Sequence, residues 1–339
     1  MSNKKTRYFV AISGTILAIG LGTGLLASYM GLPVSVFSSA AGPDELQYVP
    51  ADAAVVAYAN VRDVMNSEFR QRFKNLEPTQ ENKNQFEEKT GLNFEQDIDS
   101  VVAAVMPKDG MANNPAGAFL ILAKGRYEAS RLESLALEHG AQVSDYQGKR
   151  LITHQEMQAG TDPNHDDMAF GFLDADLVAF GSLNTVKAAI DARASNRNIV
   201  SNNDMMKLVN EIDNSNAWAV GRFDAIASKA GLPAEIQSQM PAITWFSAAG
   251  HINGGLSGTF KAQTKDEATA KNLRDMMQGF LAMAKMQSAN KPAFQQLADS
   301  LQLSGDGNNV ALSFSIPTEL LDVLEAMAKG RHLQPQQQH

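Results

Sequence analysis

The sequence predicts an α+β protein of two related halves, with mainly antiparallel sheets, helices packed on one face, and one transmembrane helix in front. Three observations lead there. Residues Tyr8 to Gly31 form a run of 24 residues without a charged side chain. Apolar strand-like stretches are joined mostly by short turns rich in Gly, Asp and Asn, the signature of hairpins rather than crossovers. The order strand, helix, strand pair, helix, strand pair, helix can be read twice along the chain.

The apolar run comes first. As a helix it extends about 36 Å at 1.5 Å per residue, enough to cross a hydrocarbon core of about 30 Å with some tilt. Lys4, Lys5 and Arg7 precede it and the next charges are Asp44 and Glu45. The positive-inside rule therefore places the N-terminus in the cytoplasm and the bulk of the chain outside the plasma (inner) membrane, as a single-pass periplasmic or extracytoplasmic protein. Tyr8 and Tyr29 lie where aromatic rings favour the headgroup region. The alternative is a signal peptide cleaved near Ala40 and Ala41, but the run exceeds the 7 to 15 apolar residues usual for a signal core. Gly20 and Gly24 form a small-xxx-small pair through which two such helices could associate closely.

Residues 32–47 carry small residues and prolines and read as a linker, so the boundaries expected are 1–31 for tail and membrane helix, 32–47 for linker, 48–200 and 201–330 for the two halves, and 331–339 for a disordered tail. In the first half, Ala53 to Ala59 reads as a buried strand and Val61, Val64, Met65, Phe69 and Phe73 follow at helical spacing. A more polar helix around Gln80 to Lys89 ends at Gly91, a residue suited to a left-handed C-cap. Strands are expected at Ile98 to Met106 and Ala118 to Ala123, then a helix near Tyr127 to His139 and a short strand at Arg150 to His154. Met168 to Leu173 and Leu177 to Phe180 make a hairpin around Asp174-Ala175-Asp176, and Ser182 caps a helix Leu183 to Arg193.

The second half follows the same plan. Ala217 to Phe223 stands for Ala53 to Ala59, Thr244 to His251 and Gly255 to Lys261 form a strand pair turned at Asn253-Gly254-Gly255, and a long helix runs from Lys265 to Gln287. After the helix Pro292 to Leu301, a hairpin turned by Gly305-Asp306-Gly307 joins Leu301–Leu303 to Val310–Ile316, and Leu320 to Ala328 closes the half.

Three phrases resemble a class of uncharacterised membrane-anchored bacterial proteins, grouped as a domain of unknown function. They are Tyr48-Val49-Pro50-Ala51-Asp52; Gly91-Leu92-Asn93-Phe94 with Asp97-Ile98-Asp99; and Asp176-Leu177-Val178-Ala179-Phe180-Gly181-Ser182 leading into Ala188-Ala189-Ile190-Asp191. The resemblance covers most of residues 48–192. It implies one N-terminal apolar segment followed by a repeated α+β exported region, and it brings no catalytic residues.

Composition narrows the chemistry. The chain has no cysteine, which excludes disulfides, thiolate metal sites and a lipidated cysteine at the N-terminus. Its formal charge is -8; setting aside Lys4, Lys5 and Arg7 lowers the 29 basic residues to 26 against 37 acidic ones. An acidic exported region argues against nucleic acid and against direct contact with anionic headgroups. The densest polar cluster, Asp162, Asn164, His165, Asp166 and Asp167, offers oxygen ligands without the spacing of an EF-hand. Asp162, His165, Asp166 and Asp167 are the metal-ligand candidates, against a plain solvated loop.

Other motifs fail on context. Ser288-Ala289-Asn290-Lys291 and Lys89-Thr90-Gly91 match pieces of the penicillin-recognising enzymes, but in reversed order and at helix ends. The glycines between Gly250 and Gly258 lack the following helix that a phosphate loop requires. Met276, Met277, Met283 and Met286 gather on one helix, either as core or as one wall of a lipid or apolar-ligand site. No cofactor is expected. The sequence thus points to a non-catalytic cell-envelope protein whose exported region binds a protein partner, scaffolds a complex or self-associates. The alternatives are an apolar-ligand module and a metal-dependent hydrolase.

Overall fold

A computed structural model describes residues 43–68, 87–107, 119–154, 168–212, 215–227, 242–252, 255–288, 292–318 and 320. Tyr8 to Gly31, Gly20, Gly24, the Asp162 to Asp167 cluster, residues 321–328 and the C-terminal tail lie outside the described residues. In chain order the strands and helices are β1 (Val55–Asn60), α1 (Val61–Met65), α2 (Phe94–Asp97), β2 (Ile98–Val105), β3 (Phe119–Gly125), α3 (Ala129–Glu138), β4 (Gln142–Tyr146), β5 (Lys149–His154), β6 (Met168–Asp174), β7 (Leu177–Ser182), α4 (Leu183–Ser195), α5 (Asn203–Asn210), β8 (Ala217–Arg222), α6 (Asp224–Ala227), β9 (Ile243–Ile252), β10 (Gly255–Thr264), α7 (Glu267–Ser288), α8 (Pro292–Ser300), β11 (Gln302–Ser304) and β12 (Asn309–Pro317).

The class is α+β, built on a large antiparallel sheet, as expected. The plural "sheets" of the sequence reading becomes one: 12 strands join in the order β11-β12-β10-β9-β8-β1-β2-β3-β7-β6-β5-β4. The link is β1 against β8, which pair antiparallel from Val55↔Gly221 to Ala59↔Ala217. Read outward from that pair, the order is β1-β2-β3-β7-β6 in one direction and β8-β9-β10-β12-β11 in the other, with β5 and β4 added beyond β6.

Local chemistry sets the ends of the elements. Asn60 caps α1 by accepting from the Asp63 N–H, and Ser182 caps α4 by accepting from the Thr185 N–H. The Gly91 φ of +71° supplies the expected left-handed end to the helical residues 87–90. Between β6 and β7 the turn is Ala175-Asp176, and Gly305 and Gly307, both at positive φ, reverse the chain between β11 and β12. Folding starts earlier than the expected linker boundary: Asp44–Tyr48 form a 3-10 helix in which Glu45 and Leu46 are buried.

Because opposed residues on antiparallel strands share a face, the registers fix what each side of the sheet carries. On the front lie Val56, Tyr58, Val102, Ala104, Leu120, Leu122, Ala179 and Leu151, joined in one core with Val186, Ala189 and Ile190 of α4 and Met205 and Val209 of α5. Towards β12 the same front face turns polar, with Ser247 and His251 on β9, Thr259 and Lys261 on β10, and a 2.9 Å hydroxyl contact between Thr259 and Ser313.

The back face carries an unbroken apolar row across all 12 strands. From β4 to β11 it reads Val143, Ile152, Phe170, Phe180, Ile121, Ala103, Ala57, Ala219, Ala248, Phe260, Leu312 and Leu303. Here α7 packs, with Ala270 and Leu273 buried against Ala262 and Val310. Helices therefore stand on both faces of the sheet, α4 and α5 in front and α7 behind, where the sequence suggested one covered face. The reason is that the apolar alternate residues of β10 and β12, among them Phe260, Ala262 and Val310, face back towards α7, whereas Val56, Val102, Leu120 and Leu122 of β1 to β3 face front towards α4 and α5.

Candidate functional site

Back-face coverage differs sharply between the two ends of the apolar row. At the β12 end, Ala270 and Leu273 of α7 are buried and Met276, Met277, Phe260 and Leu303 pack around them. The methionine stripe is thus core over its first half; Met283 (48% exposed) and Met286 (80%) point away. Along that stretch the apolar side chains of α7 serve the fold.

At the β4 end the helix in the corresponding place is α3, and no residue of it is buried. Its hold on the sheet is peripheral. Glu133 bridges Arg150 at 3.0 Å, and Tyr127, just before the helix, meets Phe172 edge to face at 6.1 Å. Phe170, Phe172, Phe119 and Val178 are half-buried, while Phe180 (38%), Val143 (39%) and Leu137 of α3 (45%) are exposed. Phe119 and Phe180 keep ring contact at 5.9 Å. The result is an aromatic sheet face, carried by strands that from β3 to β5 are paired on both sides, that keeps apolar surface in contact with solvent.

Beside it opens a cleft of about 200 Å³ lined by Thr90, Gly91, Leu92, Asp97, Arg126, Tyr127, Glu128 and Leu132. Its polar groups are committed to the fold. Arg126 donates to the Gln96 carbonyl and to Asp97 Oδ1, and Asp97 Oδ2 accepts from the Asn93 N–H at 2.9 Å. Arg131 donates to the carbonyls of Lys89 and Glu88, the last turn of helical residues 87–90. The Tyr127 hydroxyl donates to the Ala123 carbonyl at 2.8 Å. Burial, then the nearby charges of Asp99 and Asp176, raise its pKa, so the phenol stays protonated and is no base.

A second polar cluster sits in the front core. Ser100 donates to buried Glu45 at 2.8 Å, and Tyr58 lies beside them, stacked on Trp218 with ring centroids 5.7 Å apart. Burial, then Glu45 and Asp63, push the Tyr58 phenol up to about 12, against a smaller lowering by the Ser100 hydrogen bond. This cluster ties the first residues of the fold to β1 and β2.

The remaining sequence candidates separate. Ser288 donates its hydroxyl to the Lys285 carbonyl and is buried; Thr90 accepts from the Leu92 N–H; His251 sits in β9 opposite Ser257. Among the described residues no group of three or more His, Asp or Glu side chains is placed to hold a metal, and no helix is long and apolar enough to cross a membrane. Sequence reasoning did not single out Phe180, Val143 or Leu137. The signal was present in the Met168 to Leu173 run, which is apolar on both alternations and so gives its strand two apolar faces.

A family model described as a protein of unknown function (DUF3352) matches residues 10–249, which include β1 to β8 and most of β9. Among solved structures, crystal form I of TP0453 aligns over 85% of this chain and 99% of its own at 12% identity and a TM-score of 0.42. Crystal form IV of the same protein aligns over 84% and 97% at 11% identity and a TM-score of 0.45. No curated protein matches the chain.

Proposed function

The chain belongs to the DUF3352 family of proteins of unknown function, and from that premise we propose that it is a non-catalytic, membrane-anchored protein of the cell envelope whose exported region binds a protein partner. The observation that carries this reading is the aromatic back face between β3 and β4, where Phe180, on a strand already paired on both sides, and Val143, on the end strand β4, remain exposed. Exposed apolar surface on a rigid scaffold suits recognition of another protein, and aromatic side chains supply much of the affinity in such contacts. The anchor is the uncharged run Tyr8 to Gly31, with Gly20 and Gly24 as a contact through which anchors of two copies could associate. The two outward strand series fit a chain of two related halves meeting at β1 and β8.

Two experiments test the reading. A photo-crosslinking amino acid placed at Phe180 in the full-length protein, in the cells that make it, should yield an adduct with a different polypeptide; its absence would remove the partner. Replacing residues 8–31 by a cleavable signal sequence should move the protein from the membrane to the soluble envelope fraction. Retention in the membrane would disprove the anchor.

A further inference from the structure

We propose that the outer edge of β4 receives an extended segment of the partner, with an apolar side chain beside Val143 and a Lys or Arg beside Asp145. This rests on the partner-binding reading and adds where the partner docks and by what chemistry. Among the described residues β4 ends the sheet, pairing inward with β5 and with nothing on its other side. Gln147 (φ 51°) and Gly148 (φ 74°) form a two-residue turn of the I′ kind, which makes Tyr146↔Lys149 the closing hydrogen-bonded pair. Alternation along an antiparallel ladder then turns the N–H and C=O groups of Gln142, Ser144 and Tyr146 towards β5. Those of Val143 and Asp145 point outward.

Proteins usually guard such an edge with lysine, proline, a bulge or a covering element. In β4 there is no proline or lysine and its register with β5 is regular. The opposite edge is guarded: β11 has 3 residues and its Leu303 packs in the core cluster under α7. Asp145, the one charged residue of β4, does not shield its backbone, because its carboxylate accepts from the Gly148 N–H at 3.2 Å inside the turn. Arg150, opposite Asp145 on β5, is held by Glu133.

Charge selects the occupant. The chain is acidic, and near this corner Asp191 accepts from the Tyr146 hydroxyl at 2.9 Å. A second copy pairing antiparallel about Ser144 would bring the two Asp145 carboxylates diagonally together and set each beside a valine. A basic side chain next to Asp145 and an apolar one next to Val143 continue the edge without that repulsion. The bound segment is a partner strand, added by backbone hydrogen bonds.

The test uses the full-length protein in the cells that make it, with a photo-crosslinking amino acid at Ser144 and, as control, at Gln302 on β11. The expected result is an adduct from Ser144 alone, to a different polypeptide, at a stretch carrying Lys or Arg. Val143→Pro removes an outward N–H without touching the β4–β5 ladder, and Asp145→Lys reverses the selecting charge; each should lower the adduct about tenfold. Unchanged melting of Asp145→Lys separates this loss from misfolding. Adduct yield unchanged in both variants, or an adduct that is a second copy of this chain, overturns the proposal. A foreign adduct from Phe180 with none from Ser144 removes the edge and leaves partner binding standing. None from either position removes both.

Discussion

Helices α3 and α7 each follow the third strand counted outward from the centre of the sheet, yet they treat the back face differently. The 22 residues of α7 bury Ala270 and Leu273 against the β10 and β12 strands, whereas the 10 residues of α3 bury none. One end of the apolar row is thereby core and the other is surface. The difference teaches that apolar character alone does not assign a residue to stability: Phe180 and Phe260 lie in the same row, and only the helix above decides which serves the fold.

The largest effect should come from the covered end. Leu273→Ala should cost about 2–5 kcal/mol in denaturant unfolding, while Leu137→Ala on α3 should stay within about 0.5 kcal/mol. Equal losses at the two positions would erase the contrast. The turns at the two edges form a second pair. Gly305, at φ +113° where an added Cβ would meet the Asn309 carbonyl oxygen at 2.5 Å, should cost about 2–3 kcal/mol on change to alanine. Gly148, at φ +74° with open space around it, should cost about 1 kcal/mol. A reversed order would mean that the β4 turn is the more constrained.

Phe180→Ser should lower stability by about 1 kcal/mol or less, since what it loses inside the fold is chiefly the Phe119 ring contact. The same change should abolish crosslinking to the partner from neighbouring positions, and preserved crosslinking would return Phe180 to an ordinary surface role. The remaining effect, seen only at alkaline pH, lies midway between the ends. Tyr58 has its pKa raised from 10.0 to about 12 by burial, so its contribution is complete below pH 10 and is lost as pH rises through about 12. Melting temperature should therefore fall over that interval and fall less steeply in Tyr58→Phe. Tyr127, also raised, keeps part of the decline. Identical slopes in the two proteins would show that Tyr58 ionises freely in the fold.

Much of the fold could be read before the structure because its turns and caps use residues with local reasons to be there. Ser182, the Asp174 to Asp176 reversal and the Gly305-Gly307 pair each act within a few residues of themselves. The missing strand, β4, has the sequence Gln-Val-Ser-Asp-Tyr, and an edge strand with neither face deeply buried shows no alternation to detect. The join of β1 to β8, and hence the single sheet, depends on residues far apart in sequence, which periodicity cannot reach. The exposed aromatic face was half legible: the strands were visibly apolar, but whether a helix would cover them was not. Asp162, His165, Asp166 and Asp167, with Gly20 and Gly24, lie outside the described residues.

Pairing of Val55 with Gly221 also sets the order of events when the chain folds. Most neighbours in the sheet are close in sequence and can zip as hairpins within microseconds, but β1 must wait for β8 to be made before its second edge is satisfied. Until then β1, with Val55, Val56 and Ala57 all destined for burial, is an open apolar edge on a half-finished sheet. Such an intermediate is prone to pair with the wrong strand, so assembly of this protein should be slowest, and most dependent on chaperone protection, at its very centre.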